Sequence, residues 1–211
     1  MSAPFDVLMF DDALHAWRNL KTGRMVSGAM VQAEVDRHIA AGQELMQALT
    51  KRYYAGEISL AEWKLATAAE LRDMHSAFAM LGAGGRDNMT ASMWGRVGGN
   101  LSDEYRHLQQ FAEAIGNETV SEAQALARIT QYGNSSKQAY WDVFKETAAP
   151  AENPDLPLLT NSPRDGGTQC RGNCNCEIVP HADGSADWVL HDGEHCDDCE
   201  ALASGGPYRL N

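Results

Sequence analysis

The placement of the cysteines constrains this chain more than any other feature. All five lie between positions 170 and 199, and the 169 residues before them contain none. They read Cys170-Arg-Gly-Asn-Cys174-Asn-Cys176 and, after nineteen further residues, Cys196-Asp-Asp-Cys199, with His195 directly before the second group. Two closely spaced cysteine groups separated by a loop spell a tetrahedral zinc site, because each tight turn supplies two thiolates and the loop closes the ring. Cys196 and Cys199 form one half of such a site. The other half is Cys170 with Cys174, Cys170 with Cys176, or Cys174 with Cys176, and the sequence does not choose among them. The candidate ligands are therefore Cys170, Cys174, Cys176, Cys196 and Cys199, with His195 as a sixth contender for four positions. Four protein ligands leave no open place for water, so the expected role of the zinc is structural.

Composition says why a staple is expected there. From Pro150 onward three Arg and no Lys face eleven Asp and Glu, which carries about −8 of the chain's net charge of −12. The stretch is also rich in Pro and Gly, so little apolar material is left to hold it together without a metal. An acidic chain of this kind repels nucleic-acid phosphate and anionic membrane, so direct nucleic-acid binding is not expected. No apolar run approaches the ~20 residues of a spanning helix, and the start, Met1-Ser-Ala-Pro-Phe5-Asp6, lacks the pattern of a secretory signal. Folding in the cytosol is the expectation, and reduced thiols there favour metal over disulfide.

The chain before residue 150 reads as helical. Residues 1–29 form an arm or a short hairpin turning at Gly23, with Trp17 and Val26 on its two sides. From Met30 the apolar residues Val31, Val35, Ile39, Leu45, Met46, Leu49 and Tyr53 recur at helical steps up to Gly56. Ser59-Leu-Ala-Glu62 is a capping box flanked by Ile58 and Trp63, and it opens a helix through Leu65, Leu71, Met74, Phe78 and Leu81 to Gly82. Gly82-Ala-Gly84-Gly85 reads as a flexible connector, since no strand and no Lys accompany it as a phosphate loop would require. A third helix covers Thr90 to Ile115, with Leu101, Tyr105, Leu108 and Phe111 inward. A fourth starts at Ser121, runs to about Thr147, and kinks near Gly133 to Ser136. Pro150, Pro154, Pro157 and Pro163 then exclude helix, which makes 150–169 an extended linker whose Leu156, Leu158 and Leu159 rest on something apolar. Finally Glu177 to Val179 and Trp188 to Leu190 form a hairpin around Asp183-Gly184. The expected class is mainly α. A four-helix body over 30–149 is followed by the Pro-rich arm and, over 170–211, a zinc-stapled β-hairpin module.

Other chemistry is weaker. His191-Asp-Gly-Glu194-His195 matches a metallohydrolase pattern, but that pattern works on a helix, and Gly193 and a preceding strand argue against one here. Asp192, Glu194, Asp197 and Asp198 lack the spacing of a calcium loop. His15, His38, His75 and His107 stand singly in the sequence. No catalytic constellation is present, and no enzymatic activity is expected.

Tyr105-Arg-His-Leu108-Gln-Gln-Phe111, Arg128 to Tyr132, Tyr140-Trp141, the Pro-rich arm, Asp165-Gly-Gly-Thr168-Gln-Cys170, Asn173-Cys174-Asn-Cys176 and Cys196-Asp-Asp-Cys199 together resemble the minor head, or head-morphogenesis, proteins of tailed phages and prophages. The likeness is specific from about residue 100 onward. It implies a structural virion component near the portal vertex, neck or capsid, assembled in the host cytoplasm. Its partners would be portal, major capsid or connector proteins, and it would itself be present in several copies per particle as a homo-oligomer. The zinc comes from the cysteine spacing and not from the resemblance. The alternative is a zinc-finger adaptor or regulatory protein that binds a protein partner through the acidic tail.

Overall fold

The structure is a computed structural model and describes residues 8–11, 16–148, 150–163, 167–170, 174, 176–181, 183–191 and 193–211. It is mainly helical, with a small antiparallel β module and the cysteine cluster near the C-terminus.

Three short strands come first: β1 (Leu8–Asp11), β2 (Ala16–Asn19) and β3 (Met25–Val26), paired antiparallel in that order. The hairpin reading of Trp17 to Val26 is the one realised, with Trp17 opposite Val26 and Gly23 at φ +68° in the turn. Asn19 holds that turn by accepting the N–H groups of Lys21 and Thr22 on its side-chain oxygen. Strand β1 has no counterpart in the sequence reading.

Five helices make the body: α1 (Gly28–Tyr54), α2 (Leu60–Gly82), α3 (Ala91–Gly116), α4 (Glu122–Ser135) and α5 (Gln138–Thr147). The side chains of Ser27, Ser59, Thr90 and Ser121 each take an N–H of the first turn, and Ser59–Glu62 and Ser121–Gln124 close full capping boxes. Helix α2 is the centre and packs against α1, α3, α4 and α5. From Ala77 to Gly85 every residue is buried, as a helix enclosed on all sides must be. Trp63, fully buried, donates its indole N–H to Thr50 Oγ1 at 3.0 Å, and Thr50 donates to the Met46 carbonyl at 2.8 Å, which ties α2 to α1.

Three expectations need correction. The fourth predicted helix is two, because Ser135 and Ser136 both direct their hydroxyls at the Tyr132 carbonyl and compete with the backbone ladder, ending α4. Leu65 is exposed, since it lies two residues, or about 200°, from the Trp63–Thr67–Leu71–Met74 stripe, and Tyr105, expected inward, is exposed too, its hydroxyl donating to the Ala68 carbonyl. The 82–85 connector is not a loose joint. Gly85 N–H bonds the Met80 carbonyl, Gly84 takes φ +75°, and the Gly84 carbonyl accepts Phe10 N–H at 2.8 Å from β1.

The C-terminal unit contains β4 (Glu177–Pro180), β5 (Ser185–Val189), α6 (Asp197–Gly205) and β6 (Tyr208–Arg209), with strand order β4-β5-β6. Asp183-Gly184 makes the expected turn, with Gly184 at φ +77°. The proline-rich stretch does not merely link the two units. Arg209 N–H bonds the Pro157 carbonyl and Leu159 N–H bonds the Arg209 carbonyl, both at 2.9 Å, so 157–159 lies beside β6 as a further strand position. Nor is the unit short of an interior. Leu159, Ile178, Ala186, Trp188, Tyr208 and Leu210 are buried in one cluster, and α5 adds Trp141 to it. That cluster corrects the expectation that a metal alone holds this stretch together.

Candidate metal centre

The two cysteine groups meet where the residues before β4 reach those that open α6. Residues 167–170 and Cys174 enter from one side. Cys196, the residue before α6, and Cys199 in its first turn enter from the other. Asp197, Asp198 and Glu200 occupy that first turn, where carboxylates favour a helix start. Asp198 also accepts the backbone N–H of Gln169 at 2.8 Å, fastening one cysteine turn to the other. Acids clustered directly after Cys196 are the sequence signal that would have revealed α6.

Cys170, Cys174 and Cys199 have their sulfur atoms within 4.8 Å of one another and form a group able to hold a metal ion. Cys199 Sγ is 3.4 Å from Cys170 Sγ and 3.7 Å from Cys174 Sγ, and Cys196 Sγ is 3.5 Å from Cys170 Sγ. All five cysteines are free thiols. A tetrahedral ion with metal–sulfur bonds of about 2.3 Å sets its sulfurs roughly 3.8 Å apart. The observed spacings fit that edge and lie far beyond a disulfide bond of about 2.05 Å.

The electrostatics ask for a cation. Burial pushes the Cys199 thiol well above its ordinary value, and the neighbouring thiols of Cys170 and Cys196 add to this. Burial likewise raises Cys170 and pushes Cys176 up to about 11. Burial also works against ionisation of Cys196, but the backbone N–H groups of Cys199 and Cys170 outweigh it and bring Cys196 down to about 7. Thiolates crowded this closely repel one another, and a bound divalent ion reverses the balance by taking them all deprotonated.

Cys176 stands apart from the first three. Its Sγ lies 3.8 Å from His195 Nδ1. The Trp188 indole N–H, which finds no hydrogen-bond partner in the sheet, favours the Cys176 thiolate. His191 pairs with Glu177 at 3.2 Å, and His195 Nε2 donates to the His191 carbonyl. The two imidazoles of the hydrolase pattern thus face different partners and do not converge on one point. Asp198 is occupied by Gln169, and Asp192 of the calcium pattern lies outside the described residues, as do His15, Asp165, Arg171, Asn173 and Asn175. Of the remaining histidines His107 is exposed and His38 is half-buried, edge-on to Phe78. His75 is enclosed in α2 with both ring nitrogens unpartnered. No described helix is long and apolar enough to cross a membrane. Comparison with protein-family models, with curated proteins and with solved structures finds no match to this chain.

Proposed function

We propose that this chain is a structural component of a tailed-phage particle, a minor head or neck protein whose C-terminal module is held in shape by zinc. The observation that carries the reading is the closed character of the thiol cluster. Cys170, Cys174 and Cys199 form a group able to hold an ion, and Cys196, 3.5 Å from Cys170, would complete a tetrahedral set that leaves no place for water. Zinc is the metal that suits such a site, being content with four soft ligands and no redox partner. A closed site of this kind builds a shape and turns nothing over.

The resemblance from residue 100 onward supports the virion assignment, and the architecture suits it. A helical body and a metal-closed module share one helix, α5, so a load on one passes to the other through Trp141. The partners would be portal, capsid or connector proteins, met by several copies of this chain.

The test is copy number. Purified particles should contain the protein in a fixed ratio to the portal protein by quantitative mass spectrometry, with zinc in proportion. Absence from particles, with the protein recovered instead on a host factor, would replace this reading by the adaptor.

A further inference from the structure

Four donors satisfy a tetrahedral ion, yet the same unit carries six. Cys176 and His195 are left over by the set just described, and they are arranged for use. A backbone carbonyl only accepts hydrogen bonds, so the contact from His195 to the His191 carbonyl fixes the proton of the neutral ring on Nε2. The lone pair of Nδ1 is thereby turned toward Cys176 Sγ, 3.8 Å away. This is how a metal-binding imidazole is oriented, with its far N–H spent on a carbonyl. One ion taking a sulfur at about 2.3 Å and a nitrogen at about 2.0 Å would hold the two roughly 3.6 Å apart. The observed spacing fits.

The thiols between the two ends are shared. Cys170 meets Cys196 and Cys199. Cys176 follows Cys174 by two residues, and Cys174 Sγ lies 3.7 Å from Cys199 Sγ. Cys199 stands between Cys170 and Cys174, at 3.4 and 3.7 Å. Two tetrahedral ions have eight positions, and six donors fill eight positions when two of the thiolates bridge.

We propose that the module holds two zinc ions in a Cys5His cluster: Cys170 and Cys196 belong to the first ion, Cys176 and His195 to the second, and Cys174 and Cys199 bridge them. This rests on the metal reading above and adds a second site to it. The sequence offers five cysteines where four would do, and the cluster uses all of them.

Native mass spectrometry of the full chain, purified in zinc, should show two zinc ions per chain. Exchange into cadmium-113 should give two NMR resonances, both shifted as thiolate-rich sites are. His195→Ala and Cys176→Ser should each lower the count from two to one with the far-UV spectrum of the body kept, and His195→Cys should restore two. One ion in the wild type under excess zinc, with a single cadmium resonance, overturns the second site and leaves the single-ion module standing. No bound ion overturns both. Two ions that survive His195→Ala and Cys176→Ser overturn this assignment of the ligands. Should either variant fail to fold, the wild-type count and the cadmium spectrum decide alone.

Discussion

Cys199→Ser is the most informative single change, because Cys199 is the thiol on which the others converge and lies 3.4 and 3.7 Å from two of them. A hydroxyl at that position binds zinc far more weakly than a thiolate. The binding free energy of a structural zinc, of order 10 kcal/mol, is largely folding energy of the segment that holds it. A four-residue β4, a five-residue β5 and a two-residue β6 could not replace a loss of that size. The variant should therefore release its metal, and the chain beyond residue 150 should become open to protease, as should the wild type in chelator. The structure also sets how little else should change. Helices α1 to α5 contain 27, 23, 26, 14 and 10 residues against nine in α6, so less than a tenth of the far-UV helical signal is at stake. Tryptophan fluorescence should shift more than this, since Trp141 and Trp188, two of the five, lie in the affected cluster. A module as protease-resistant in chelator as in zinc would refute the role given to the metal. Loss of most of the helical signal would refute the separation of body from module.

Three further outcomes are expected. His75 is buried and neutral, its pKa brought down to about 4 by desolvation. The unfolded chain takes up a proton below about 6.5 that the folded chain refuses, so stability is full above that pH and falls as pH drops toward 4. At pH 5 the loss amounts to about 2 kcal/mol, and urea melts at pH 7 and pH 5 should show it in the wild type and not in His75→Leu. Gly82→Ala would drive a methyl into the Tyr140 carbonyl where α5 crosses α2, and should cost roughly 1–3 kcal/mol in a denaturant melt; an unchanged midpoint would contradict that close approach. Trp141→Ala should cost about 3–5 kcal/mol and split one thermal transition into two, the module's being zinc-dependent, whereas a single sharp transition would mean that the units are joined elsewhere.

The helices were legible because their signals are local. Capping residues at Ser59 and Ser121, followed by apolar stripes, gave starts that the structure reproduces at Leu60 and Glu122, and the third helix, expected from Thr90, begins at Ala91. Asp183-Gly184 marked its hairpin in the same way. What escaped was set by pairing at a distance. The 157–159 stretch is held by Arg209, so it is not written in its own neighbourhood, and β1, though paired with nearby β2, is completed by the Gly84 carbonyl. Strand β6 is two residues long and carries no period. At the metal centre the donor types were plain in the spacing, but their grouping was not. That Cys170 and Cys174 meet Cys199 while Cys176 meets His195 depends on how the residues before β4 are set against those that open α6.

The apolar cluster and the ion are not rival explanations of the C-terminal unit. Cys174, Cys176 and Cys199 are buried members of the same cluster as Trp188, Ile178 and Leu159. Buried thiols are small hydrophobes while protonated, but a thiolate in that setting is a charge that needs a partner. An ion bound there would supply it, and would let one set of side chains fill the interior and fix its geometry together. Trp141 joins the same cluster from α5, with Tyr140 and Phe144 stacked beside it, and so seats the unit on the body.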